Sequence, residues 1–356
     1  MTELVGIDAK SGCRVRLRHD GRLITSIERL DPESRATDPR IAPALWDLQV
    51  NGCLGISFSD PELTVEKVRA VCEVVRRDGV GAFCPTLITA SSEVMLHGVR
   101  TIAAACEDDP FVRGMVLGLH LEGPAISALD GYRGAHPIEH VRDPDQAELE
   151  RFQDASGGRV VLVTLAPERE GAIEFIRRAT AAGVVVAIGH TAADGETLHA
   201  AAEAGATLST HLGNGIVSPL PRHPNPIWHQ AADDRLWASF IADGIHVDED
   251  TLTVLTRAKG SDRTILVSDL SPLAGCAPGR YGGWEVRPDG RVVVAGTGYL
   301  AGAAASLAAG VVRLAGLRSG TLSLAVAAAT ANPARLLGRA TPSLEPGQPV
   351  PCVLPA

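Results

Sequence analysis

Eight short, largely apolar runs recur along this chain, at residues 45–51, 82–89, 115–122, 160–168, 184–190, 206–211, 237–243 and 264–269. Amphipathic helical patterns separate them, among them 63–77, 92–105, 171–182 and 195–204. Near-continuous apolar strands that alternate with helices demand a parallel sheet, because each crossover helix covers a face of it. Eight such units predict an α/β fold, a (β/α)8 TIM barrel rather than an open sheet. At 356 residues the chain can supply this barrel and a small accessory unit, with a core large enough to need no disulfides.

The accessory unit is expected from the two ends. Residues 13–17 and 23–27 alternate about the turn His19-Asp20-Gly21, a hairpin pattern. A polar, proline-containing stretch at 31–40 then leads into the barrel. The tail SLEPGQPVPCVLPA is too rich in proline for a helix and too short to fold alone, so it is expected to return to the N-terminal strands. The predicted division is a small β-sandwich from 1–43 and 336–356, with the barrel spanning 44–335.

Polar side chains collect where the apolar runs end: Asn51, Glu122, His190, His211, Asp243 and Asp269. In an α/β barrel the C-terminal ends of the strands form the catalytic face. Glu122 closes the run VLGLHLE, and a carboxylate buried there is costly unless a cation faces it. One carboxylate and two imidazoles, from Glu122, His190 and His211, make a ligand set for a zinc-type ion that leaves a position for water. Each histidine alone reads more simply as a hydrogen-bonded structural residue, but three ligands at three strand ends favour the metal. Asp269, which ends TILVSD, is either a cap for the next segment or a proton acceptor for metal-activated water. Its place at the same mouth favours the second role.

Charge and composition narrow the partners. A net charge of −9 argues against nucleic acid or an acidic membrane as the main partner, though not against a local anion pocket. The seven cysteines form no CxxC pair and several sit in apolar runs, as reduced core residues do. MTELVGIDAK lacks the features of a signal peptide, and no uninterrupted apolar run reaches membrane-spanning length. The expected location is cytoplasmic.

The segments DLQVNG (47–52), GLHLEGP (118–124), GAHP (134–137), GHT (189–191), THLGN (210–214), ADGIHV (242–247), LVSD (266–269), LAG (300–302) and NPARLLG (332–338) resemble, in order, those of the N-acetylglucosamine-6-phosphate deacetylase family of the amidohydrolase superfamily. The resemblance spans nearly the whole chain. It implies a metal-dependent (β/α)8 barrel with a small β-sandwich built from both ends. It also implies that Glu122, His190 and His211 bind one divalent ion per chain, with zinc expected and iron(II), manganese(II) and cobalt(II) as alternatives. Asp269 would act as general base and then acid, and His136 of GAHP would polarise the amide carbonyl. The first run reads Gln49-Val50-Asn51 where many relatives carry His-x-His, and none of the three lysines ends a fourth strand. Amides are poor zinc ligands, which points to one essential metal and away from dihydroorotase-like or hydantoinase-like enzymes. Gln49 and Asn51 are then expected beside the substrate.

The segments expected on the sugar side depart from the family pattern. At the sixth strand end His211-Leu212-Gly213-Asn214-Gly215 keeps the asparagine and a backbone N–H for a sugar phosphate but lacks the usual aromatic residue. Arg222, in SPLPRHPNPIWHQ, falls at the spacing of a family arginine that crosses a homodimer interface to the phosphate, and His223 follows it in place of glutamate. His246 matches a histidine that contacts the substrate and its phosphate. Leu270-Ser271-Pro272-Leu273-Ala274-Gly275 and Ala303 also differ, and Trp46, Trp228 and Tyr299 add aromatic bulk near these segments. The expected activity is hydrolysis of the acetamide of N-acetylglucosamine 6-phosphate or a close N-acetylamino-sugar phosphate. The same reaction on another N-acyl metabolite is the alternative. A catalytically silent sugar-binding protein is a third reading, which the retained Glu122, His190, His211 and Asp269 oppose.

Overall fold

Eight parallel strands pair in chain order around one axis in the computed structural model, which describes residues 1–30 and 38–355. From first to eighth they are Leu45–Val50, Val80–Ile88, Leu119–Glu122, Val160–Leu165, Val185–Ile188, Leu208–Ser209, Trp237–Ile241 and Thr264–Val267. Each lies on one of the eight expected runs. Most end short of the run's last polar residue, because the chain turns there toward the mouth. The helices also fall where periodicity placed them, for example Val65–Arg77, Ser92–Asp108, Ala172–Ala181 and Gly195–Ala204. Thr64, Ser91 and Asp194 cap three of these through side-chain oxygens that accept N–H groups of the first turn.

Two apolar layers result. An inner cluster takes residues from all around the barrel, including Leu48, Cys84, Leu162, Leu208, Ile241 and Ile265. The larger outer cluster, with Phe83, Val186, Phe240 and Leu266, packs the strands against the helices. The first strand departs from this alternation. Leu45 and Val50 belong to the outer layer and Leu48 to the inner one, so one residue between Leu48 and Val50 is out of phase. The pairing register with the second strand shifts over the same stretch, between Asp47 and Val50. This is a bulge, which re-aims the side chains that follow it. The eighth and first strands meet without a regular ladder. Val50 and Leu270 form an isolated bridge, and the Asn51 N–H donates to the Leu270 carbonyl at 3.0 Å.

Both ends of the chain contribute to a small separate sheet. It runs Cys352–Val353, Arg40–Ala42, Thr2–Asp8, Arg14–His19 and Ile24–Arg29 in spatial order, with Cys352 opposite Ala42. The tail also reaches the opposite side of this sheet, where the Ile24 N–H donates to the Gln348 carbonyl at 2.8 Å and the Val350 N–H to the Arg22 carbonyl at 3.1 Å, so both chain ends build the small β unit, as expected. Most of the stretch at 31–40 read as a connector lies outside the described residues. A three-stranded antiparallel sheet, Gly279–Tyr281, Trp284–Val286 and Val292–Val294, follows the eighth strand and was not anticipated. Among the described residues no helix is long and apolar enough to cross a membrane.

Candidate active site

Five of the six polar strand-end residues, Asn51, Glu122, His190, His211 and Asp269, line one cavity of about 230 Å³ at the barrel mouth together with His136, while Asp243 is not among the lining residues. Three of these, His190, His211 and Asp269, hold φ of +50°, +30° and +49°. Non-glycine residues seldom adopt such angles, and they concentrate at sites where a side chain must be aimed. Each sits where an apolar strand stops, so the left-handed turn swings its side chain inward instead of along the strand.

Glu122, 3% exposed, is the hub. Its Oε1 lies 3.0 Å from His211 Nε2 and 3.5 Å from His190 Nε2, and its Oε2 lies 3.9 Å from His136 Nε2. Gln49 Nε2 donates to Oε1 at 2.8 Å. Burial alone would raise the Glu122 pKa, but the imidazoles of His190 and His211 hold it well below the usual carboxylate range. Glu122, His136 and His190 each offer a donor atom within 4.8 Å of the others. In this group His136 stands where His211 was expected, although His211 Nε2 also lies 3.0 Å from Glu122 Oε1.

Hydrogen bonding shows that this donor set fits a cation. His190 Nδ1 faces the Tyr132 carbonyl at 3.0 Å, and a carbonyl only accepts, so the proton sits on Nδ1. In the neutral ring Nε2 then points a lone pair at the Glu122 carboxylate. Two acceptors face each other, an arrangement that a proton or a metal ion between them relieves. The backbone carbonyl behind the ring also fixes its orientation, as in many metal-binding histidines. His211 Nδ1 is buried without a hydrogen-bond partner among the described residues, a second sign of a site completed by something beyond the chain. Gly134 and Gly215 close on the His190 ring. A Cβ on Gly215 would stand 2.7 Å from His190 Nδ1, and one on Gly134 3.1 Å from its Cε1.

Asp269 is 7% exposed, and its Oδ1 accepts from Asn51 Nδ2 at 2.7 Å and Gln49 Nε2 at 3.1 Å. No donor among the described residues reaches Oδ2, which is therefore the oxygen left for a proton. Burial and then the charge of Glu122 push its pKa up to about 6. His136 Nδ1 pairs with Thr89 Oγ1 at 2.8 Å, and burial followed by the neighbouring His190 pushes its pKa down to about 3. If the threonine hydroxyl donates, the neutral ring carries its proton on Nε2 and can donate to a substrate oxygen; if the ring donates, Nε2 is a ligand. His120, beside Glu122 in sequence, is bonded to Thr164 Oγ1 at 2.8 Å and the Leu48 carbonyl at 3.2 Å. Burial lowers its pKa to about 4, so it is a neutral part of the barrel floor.

The other expected site residues divide. Asn214, Gly215 and His246 line the cavity, as do Leu300, Ala301 and Gly302 of the LAG segment. His246 Nδ1 pairs with Asp243 Oδ2 at 2.7 Å. Asn51 lines the cavity, but its amide serves Asp269. Gln49 is not among the lining residues; the bulge turns its amide to Glu122 and Asp269 rather than to open space. Arg222 is exposed and away from the cavity of its own chain, and no Arg or Lys lines that cavity among the described residues. Trp284, which the sequence did not single out, lines it. Its signal was Tyr281-Gly282-Gly283-Trp284, two glycines between aromatic residues in the manner of a two-residue hairpin.

The model of the amidohydrolase family matches residues 40–350. An N-acetylgalactosamine-6-phosphate deacetylase of Escherichia coli O157:H7 is 34% identical over 342 residues, covering 94% of this chain and 88% of that protein. The N-acetylglucosamine-6-phosphate deacetylase of Homo sapiens is 37% identical over 342 residues, covering 89% and 81%. Among solved structures, the N-acetyl-D-glucosamine-6-phosphate deacetylase of Mycobacterium smegmatis superposes with a TM-score of 0.85 at 32% identity, covering 98% of this chain and 94% of that one.

Proposed function

Because the chain belongs to the amidohydrolase family, we propose that it is a metal-dependent deacetylase of N-acetylamino-sugar 6-phosphates, with N-acetylglucosamine 6-phosphate as its first substrate. The observation that carries this reading is the convergence of Glu122, three imidazoles and Asp269 in one cavity. The relatives named above are deacetylases of such sugars. Glu122, His190 and His211 would hold one divalent ion, zinc in the first instance. The ion supplies Lewis acidity, acidifying water and polarising a carbonyl oxygen. Asp269 Oδ2 takes a proton from the water that adds to the acetamide carbon, while Gln49 and Asn51 keep Oδ1 fixed. His136, in the tautomer with the proton on Nε2, steadies the substrate carbonyl oxygen. Asp269 then delivers its proton to the nitrogen as the C–N bond breaks, giving the free amine and acetate.

His246, Asn214 and the Gly215 N–H would receive the phosphate, with Arg222 of a second subunit supplying the charge. The working unit is then a homodimer. A cytoplasmic location belongs to the same reading and agrees with seven cysteines kept as free thiols. One observation favours the alternative substrate class: a cavity without Arg or Lys among the described residues suits an unphosphorylated N-acyl compound. Acetate release tests both. N-acetylglucosamine 6-phosphate, its galactosamine epimer and the unphosphorylated sugars are compared before and after metal removal by a strong chelator. Turnover confined to the phosphorylated sugars, lost on chelation and restored by zinc, is expected. Activity that survives complete metal removal, or a preference for the unphosphorylated sugars, refutes the corresponding half.

A further inference from the structure

The first barrel strand carries a buried carboxylate that the mechanism above does not use. Asp47 is 1% exposed and reaches neither the cavity nor, among the described residues, any basic side chain. Its Oδ1 accepts the Gln49 N–H at 3.2 Å and the Ser268 N–H at 3.1 Å, and its Oδ2 lies 3.3 Å from the same Ser268 N. These two donors are the ones a regular sheet would have satisfied. The Gln49 amide is freed by the bulge between Asp47 and Val50, and the Ser268 amide lies at the seam where the eighth and first strands lack a ladder. Ser268 Oγ stitches the same gap by donating to the Gln49 carbonyl at 3.3 Å.

The residues on either side of this clamp are those that set Asp269. Ser268 immediately precedes Asp269, whose φ is +49°. Gln49 and Asn51, aimed by the bulge, are the two amides that hold Asp269 Oδ1. Without an acceptor at Asp47, both the eighth-strand turn and the bulge lose the bond that fixes them, and two buried N–H groups go unpaired. We propose that Asp47 is a positioning residue: its carboxylate locks the seam between the first and eighth strands so that Asp269 and its two amide partners keep their mutual geometry. This rests on the deacetylase reading of the site only in naming the reaction that Asp269 serves.

Two substitutions and two readouts test it. Asp47→Ser is too short to reach the Ser268 amide, whereas Asp47→Asn keeps an oxygen in the place of Oδ1. In Asp47→Ser, kcat should fall about ten- to hundredfold, the scale of a displaced reacting group, with KM and metal content within about twofold of wild type. Asp47→Asn should return kcat to within about fivefold, the worth of one secondary hydrogen bond. Amide hydrogen exchange of a peptide covering residues 264–270 gives a readout independent of turnover: faster than wild type in the serine variant and near wild type in the asparagine variant. An Asp47→Ser enzyme with unchanged kcat, or one in which kcat, KM and metal content collapse together, overturns the positioning role. So does an Asp47→Asn enzyme that loses kcat tenfold or more, a result that decides the matter even where the serine variant does not fold. A wild type that releases no acetate from any N-acetyl sugar sinks the deacetylase reading instead. The exchange pattern still decides whether Asp47 clamps the seam.

Discussion

Asp269→Asn preserves the outline of the side chain and the oxygen that Gln49 and Asn51 hold, but it removes the proton acceptor. We expect kcat to drop by roughly two to four orders of magnitude, the usual scale for a general acid–base group. Metal content and KM should be nearly unchanged, and a variant with near wild-type turnover would remove Asp269 from the chemistry. At this scale the sequence was informative wherever a polar residue ended an apolar run, because such a residue must lie at the barrel mouth. Glu122, His190, His211 and Asp269 were all singled out in that way, and the resemblance added His136, Asn214, Gly215 and His246; all eight line one cavity. The partner of each side chain was not legible. Gln49 reads as a substrate contact, yet its amide is held by Glu122 and Asp269, because a bulge of one residue turns the strand and leaves no mark on composition. Asn51 lines the cavity while its Nδ2 holds Asp269.

Between elements, Lys259 is open to a separate test. It ends the helix Glu249–Lys259 and is 3% exposed, and its Nζ donates to the carbonyls of Asp233 and Leu236 at 2.8 and 2.9 Å. The ammonium ties the helix terminus to the segment that enters the seventh strand. Burial lowers its pKa to about 8 from an ordinary 10.5. In that window the unfolded chain binds more protons than the folded one, so this group's contribution to stability rises with pH between the two values and is lowest below about 8. Denaturation midpoints measured across the window for wild type and Lys259→Met should diverge, with only the wild type showing this upward component. Parallel curves would mean that the amine is not destabilised by burial. Element by element, strands and helices were legible because both kinds of periodicity are strong here. The sheet at 279–294 was not. Its strands have three residues each, too few for an alternation to register.

For the whole molecule, the distribution of cations bears on how many chains make one site. The cavity is lined by Glu122 and Asp269 but by no Arg or Lys among the described residues, while Arg222 stands exposed on the loop after the sixth strand. If a neighbouring subunit delivers Arg222, Arg222→Ala should raise KM at least tenfold for the phosphorylated sugar and leave the unphosphorylated one nearly unchanged, since charge-assisted bonds to a phosphate are worth roughly 1.5–3 kcal/mol. Light scattering should report a dimer for both proteins. A monomer with full activity on the phosphorylated sugar would refute the shared site. The overall architecture was legible because eight β/α units admit few closed arrangements. The return of the tail to the N-terminal strands was legible as well, because a proline-rich segment too short to fold alone has to pair elsewhere.

The small sheet also sets an order of events during synthesis. Arg40–Ala42 leaves the ribosome early, but Cys352–Val353, the strand that covers its outer edge, comes from the other end of the chain. At roughly 5–20 residues per second the wait is on the order of tens of seconds. For that time Arg40–Ala42 presents unpaired backbone groups on a nascent chain, a template for any other strand that passes. A polysome carrying several such chains at once holds many copies of the same open edge side by side. Crowded expression should therefore favour mispairing at this position, and slower initiation, which spaces the ribosomes apart, should improve the yield of folded protein without any change in the sequence.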